Sequence, residues 1–67
     1  MTVNAALKIA ILQENTTQKA VAEAAGVNPS ILSGIVRGWY NADDDQKKAI
    51  AKALHRKVHD LFPEVAA

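Results

Sequence analysis

The sequence predicts an all-α fold of five short helices, and three observations carry the prediction. Apolar residues recur at i, i+3, i+4 and i+7, as in Val3, Ala6, Leu7, Ala10 and Ile11, which is the period of one helical face. No stretch of strand length alternates apolar with polar residues, and the composition is rich in alanine, the strongest helix former. The residues that break or begin helices, Gly26, Pro29, Gly38 and Pro63, fall between the apolar stripes rather than at random.

The first stripe places a helix over Asn4 to Glu14. "ENTT" interrupts it, and Thr16 or Thr17 can cap the next helix by accepting a hydrogen bond from a free backbone N–H. That second helix, Gln18 to Ala25, offers Val21, Ala22 and Ala25 as its apolar side and stops at Gly26, where a left-handed cap favours a residue without Cβ. Asn28 stands as the next N-cap with Pro29 at the first helical position, so Pro29 begins a helix instead of breaking one. The third helix runs to Arg37 and ends at Gly38. "WYNADDD" then connects to a fourth helix, capped by Asp43 or Asp44 and carrying Ala49, Ile50, Ala53 and Leu54 inward. After His55 the chain turns into a short fifth helix built on Val58, Leu61 and Phe62. Pro63 ends it, leaving 63–67 as a frayed tail. Residues 1–67 make a single domain with its folded core at about 4–62.

A chain of 67 residues builds only a small core, and with no cysteine it has neither a disulfide nor a thiolate metal site to staple it. No apolar run reaches the roughly 20 residues of a membrane span, and "AALKIAIL" is followed by nothing like a signal cleavage site, so a cytoplasmic protein is expected. The formal net charge of +1 says little about partners, although six of the eight basic residues lie between positions 37 and 57. Enzyme chemistry finds no support. Ser30 and Ser33 have no histidine placed to activate them, and no glycine-rich phosphate loop is present. His55 and His59 have the i, i+4 spacing of a zinc pair, but position 55 falls in a turn, which spoils the geometry. Three consecutive aspartates, Asp43 to Asp45, diverge on a helix and read as capping residues rather than a magnesium site. No metal or cofactor is therefore expected.

The third helix is the informative one. At about 100° per residue, Leu32 and Ile35 point one way, and Ser30, Ser33, Gly34 and Arg37 point the other, with Ile31 and Val36 at the edges. Small polar groups around a bare glycine and one arginine suit close approach to a surface. The DNA major groove, about 12 Å wide, admits a helix whose hydroxyls and arginine hydrogen-bond base edges, and Ile31 is placed to touch a thymine methyl. On this reading a Cβ at position 34 meets a base or the groove wall. The bland alternative is that Gly34 permits helix packing or is tolerated on the surface.

The segment "TQKAVAEAAGVNPSILSGIVRG" resembles the helix-turn-helix of the phage Cro/repressor (XRE-type) family. Gln18 opens its first helix, Ala22 is the small residue at the helix crossing, Gly26 makes the turn, and Val27, Leu32 and Ile35 fall at its buried positions. "AIAKAL" and "VHDLF" resemble the family's fourth and fifth helices, so the likeness spans about residues 4 to 62. It implies a compact five-helix, lambda-repressor-like domain that binds double-stranded DNA as a homodimer on a two-fold operator, in the manner of a phage or prophage repressor. Gln18 would hold a phosphate. Asn28, Pro29, Ser30, Ile31, Ser33, Gly34 and Arg37 would meet bases or adjacent backbone, and the loop of Trp39 to Ala42, with Tyr40 and Asn41, would lie near phosphates.

The sequence departs from the family pattern at the loop and the fourth helix. Asp43 to Asp45 would repel a phosphate backbone and are expected to cap and point away. Asp45 to Lys48 are all polar where the family has an apolar residue, a gap that Trp39 or Tyr40 is expected to fill; the alternative leaves Trp39 at the DNA surface. Lys48, Lys52 and Arg56 share an i, i+4, i+8 face that serves either DNA or solvent. Phe62, the tail through Ala67 and the edge of the fifth helix are candidates for self-association. The competing functional class is a protein–protein adaptor or antitoxin-like module that docks through Ile31, Val36 and Trp39.

Overall fold

Four of the five helices begin where a side chain accepts from their free N–H groups, and the same four end on one backbone device. The computed structural model describes residues 3–63, which form α1 (Ala5–Gln13), α2 (Gln18–Ala25), α3 (Pro29–Arg37), α4 (Asp44–Ala53) and α5 (Val58–Leu61). Thr17 caps α2 by accepting from the Ala20 N–H at 3.1 Å, and Asn28 caps α3 by accepting from the Ser30 N–H at 2.8 Å. Asp43 and Gln46 form a reciprocal capping box at the start of α4, with Asp44 and Asp45 in its positively polarised first turn.

The shared device is a left-handed residue with two backbone hydrogen bonds closing the last turn. Asn15, Gly26, Gly38 and His55 have φ of 52°, 71°, 85° and 55° after α1, α2, α3 and α4. The next residue in each case, Thr16, Val27, Trp39 or Arg56, donates its N–H to the carbonyl five residues back, on Ile11, Ala22, Gly34 or Ala51, at 2.8–3.2 Å. The left-handed residue itself donates three residues back, as from Gly26 to Glu23 and from His55 to Lys52, both at 3.2 Å. Two of the four stops are glycines that the sequence announces. Asn15 and His55 do the same work with a Cβ present.

The core is all-apolar among the described residues. Leu7, Leu32, Ile50, Leu54 and Leu61 are its largest fully enclosed side chains, one from each of α1, α3 and α5 and two from α4 and its cap. α2 packs against both α3 and α4 through Val21 and Ala22, and the absence of bulk at Ala22 allows the close approach. α1 and α5 close the other side. Asn4 ties these ends together: its Oδ1 accepts from the Leu7 N–H at 3.0 Å, its Nδ2 donates to the Leu61 carbonyl at 2.8 Å, and its backbone N–H donates to the Val36 carbonyl at 2.8 Å.

Several expectations need correction. Val3 does not join the core stripe of α1; it is exposed, as are Ile9 and Leu12 on the same helix. Trp39 is 59 % exposed, because the reversal at Gly38 throws it outward, and Tyr40 is also half out. The space left by the polar turn of α4 is closed instead by Ala42 and Phe62, both buried, with the Lys47 ammonium 5.6 Å over the Phe62 ring. Phe62 is thus a core residue and offers no surface for self-association. Residues 64–67 lie outside the described residues. No described helix is long and apolar enough to cross a membrane.

A Cβ at Gly26 would meet nothing within 4 Å, so substitution there isolates the conformational cost of the left-handed turn. Gly26→Ala is expected to lower stability by about 1 kcal/mol in urea unfolding, the αL penalty less the entropy removed from the unfolded chain. His55→Gly should act in the opposite direction, raising stability by up to about 1 kcal/mol, because the same penalty is already present at that stop.

Candidate nucleic-acid interface

The turn at Gly26 and Val27 sets α3 across α2 with its polar face outward. Pro29, Ser30, Ser33, Gly34, Arg37, Trp39 and Tyr40 line one shallow depression on that face. The sequence marks all of these as candidate contacts, Trp39 only through its loop and as the alternative to a core position. Pro29 and Ser30 are exposed, and Ser33 is half-buried. Asn28 spends its side-chain oxygen on the cap, while its Nδ2 has no partner among the described residues. Gln18, the first residue of α2, is half-buried at a separate position on the surface. Ile31 is half-buried and leans onto the core, so only part of its side chain faces outward. Asn41 is exposed and lines a different groove, between the start of α1 and Phe62, rather than the α3 depression.

Gly34 is the main correction. It lies on the outer side of α3 but is buried, because the Tyr40 ring covers it. A Cβ built at position 34 would overlap Tyr40 Cδ2 and Cε2. The Gly34 carbonyl also accepts from the Trp39 N–H at 2.8 Å and from the Tyr40 N–H at 3.3 Å, which holds the loop against the helix. Glycine is therefore used here for packing within the chain, and the bare backbone is not offered to an outside ligand. The tyrosine, not the glycine, forms that part of the outer surface.

The two arginines of the chain have different employment. Arg56 pairs with Glu14 at 3.2 Å and hydrogen-bonds the Gln13 side chain at 3.3 Å, fastening the loop after α4 to the end of α1. It sits beyond the reversal at His55, so it does not continue the face of Lys48 and Lys52, and the expected basic stripe ends with those two exposed lysines. Arg37, in the last turn of α3, has no salt-bridge or hydrogen-bond partner among the described residues; its guanidinium lies 5.2 Å from the Trp39 ring centroid. Trp39 is the site residue that sequence reasoning put in the core. Its position after Gly38 carries no signal of exposure, since the residue after a left-handed stop can pack inward, as Val27 does after Gly26.

The alternative docking patch loses its middle. Val36 is buried, Ile31 is partly withdrawn, and Trp39 remains without them as a continuous apolar surface. His59 lies 3.5 Å from Asp60, and no cluster of three potential metal ligands occurs among the described residues.

Gly34→Ala is expected to drive the Tyr40 ring off α3. The helix-propensity gain, about 1 kcal/mol, offsets the lost ring contact, so unfolding free energy should change by less than that amount. Tyr40 is the single tyrosine, so its ring proton resonances report the displacement directly; unchanged shifts would show that the ring does not rest on Gly34.

The helix-turn-helix family model (HTH_3) matches residues 7–61. No curated protein matches the sequence. Among solved structures, the clp gene regulator ClgR from C. glutamicum is 30% identical, over 94% of this chain and 82% of that one, with a TM-score of 0.80. The restriction-modification controller protein C.AhdI from Aeromonas hydrophila superposes with a TM-score of 0.81 at 24% identity, over 85% of this chain and 86% of that one. With its family match running from α1 into α5, and the turn geometry already described, this chain belongs to the helix-turn-helix family of DNA-binding transcriptional regulators, of the Cro/repressor-like (XRE) type.

Proposed function

We propose that the protein is a sequence-specific regulator of the phage or prophage repressor type, which lays α3 in the major groove of double-stranded DNA. The observation that carries this reading is the outer face of α3, where an arginine with no salt-bridge or hydrogen-bond partner among the described residues stands beside two serine hydroxyls. Arginine is the commonest specific reader of guanine, through O6 and N7, and hydroxyls serve either base edges or phosphates. Ser30, Ser33 and Arg37 supply the base contacts, with Asn28 and Pro29 at the N-terminal end of the helix. Ile31 offers its exposed part to a thymine methyl. Gln18 and Asn41 hold phosphates on either side, and Tyr40 packs against the backbone from its seat on Gly34.

Two features bear on the mode of binding. The depression is built on the single nine-residue helix α3, and a homodimer on a two-fold operator would pair two such helices. Lys48 and Lys52 add exposed positive charge that strengthens binding to any duplex. Such a regulator works in the bacterial cytoplasm, at the nucleoid.

Selection of bound sites from random duplex DNA should return an inverted repeat with half-sites about one helical turn apart. On that duplex, log K should fall steeply with log salt, whereas an apolar protein-docking surface would show little salt dependence. Arg37→Ala is expected to cost about 1–3 kcal/mol and to relax preference at a single base position. An Arg37→Ala protein with an unchanged base preference would remove that residue from base reading.

A further inference from the structure

We propose that Trp39 is the positioning residue for Arg37: the indole face holds the guanidinium in one orientation over the α3 depression before DNA arrives. This rests on the DNA-binding reading and adds to it a residue that lies outside the recognition helix.

Trp39 is a large aromatic left 59 % exposed in a small domain, and its ring is not idle. The Arg37 guanidinium sits over it, 5.2 Å from the centroid. The sequence between them makes this possible. Gly38, at φ 85°, reverses the chain, and the Trp39 N–H is fixed to the Gly34 carbonyl at 2.8 Å, so the ring is anchored from its own backbone. On its other side Tyr40 is seated on Gly34, which limits where the loop can move. A long arginine side chain normally loses much rotamer freedom on binding; a ring that already restrains it reduces that loss. The means of restraint matters as much as the restraint. A carboxylate would occupy the N–H donors and cancel the charge, as Glu14 does for Arg56. An aromatic face attracts the cation without accepting its directional hydrogen bonds, so the in-plane donors stay available for a base edge. Trp39 therefore orients Arg37 while leaving it able to read.

The test compares wild type, Trp39→Leu, Trp39→Phe, Arg37→Ala and the Arg37→Ala/Trp39→Leu double variant on the selected duplex and on single-base-pair variants of it. Trp39→Leu should weaken binding about two- to five-fold, the range of an exposed cation–π contact, and should blur preference at the same base position that Arg37→Ala does. Trp39→Phe should recover part of the loss, and the double variant should bind no worse than Arg37→Ala alone. Thermal unfolding of Trp39→Leu should match wild type, since the ring is outside the core. In the free protein, Arg37→Ala should alter the fluorescence of Trp39, the single tryptophan. Additive losses in the double variant, tighter binding by Trp39→Leu, or unaltered fluorescence would each overturn the inference while leaving DNA binding intact. A wild-type protein that selects no duplex would instead overturn the DNA-binding reading, and this inference with it.

Discussion

Everything in this domain hangs on stopping short helices cleanly. Helices of eight to ten residues leave a large share of their carbonyls without an intrahelical partner, and a core this small cannot hide unsatisfied ones. The left-handed stop satisfies two carbonyls per helix end and reverses the chain in the same step. Used after α1, α2, α3 and α4, it folds the five helices around one another with no long loop except the stretch from Trp39 to Asp43. It costs conformational strain at Asn15 and His55, where a side chain is carried at positive φ, and very little at Gly26 and Gly38.

The stops also place the candidate interface. Gly26 fixes the angle at which α3 leaves α2, and so decides that Ser30, Ser33 and Arg37 face away from Ala22 and the core. Gly38 then sends Trp39 and Tyr40 back along the outer face of α3, where they wall the depression. The candidate interface is thus a helix plus the residues its own stop folds back onto it. Polar groups divide in a consistent way: Asn4, Thr17, Asp43 and Arg56 are spent on holding helix ends, while Arg37 spends none of its donors on the described residues.

Gly34 shows how a correct question can have a different answer. A glycine in mid-helix does mark close approach, because nothing else accounts for its loss of helix propensity. The approaching group is Tyr40 of the same chain, six residues on, seated by two hydrogen bonds to the Gly34 carbonyl. The outer surface at α3 is consequently broader and more aromatic than a bare helix would present.

The sequence by itself determined the five helices, the stops at Gly26 and Gly38, the cap at Asn28 and the helix-turn-helix, because these follow from local chemistry. Periodicity, Thr17, Asn28, Asp43, Gly26 and Gly38 act within a few residues of where they stand, and Ala22 and Leu32 have too little or too much apolar character to sit elsewhere. The polar face of α3 was legible for the same reason. Tertiary structure decided what local rules do not reach. Asn15 and His55 adopt left-handed backbone because the packing of the next helix demands it, although neither is glycine. Trp39 is outside because the space expected for it was taken by Phe62, 23 positions further along, together with Ala42 and Lys47. Whether Arg37 or Arg56 is the arginine left to act outward depended on Glu14 lying beside Arg56, a contact across 42 residues of chain. Separation in sequence is the physical boundary: what a residue does to its own turn can be read from the chain, and which distant side chain fills the neighbouring space cannot.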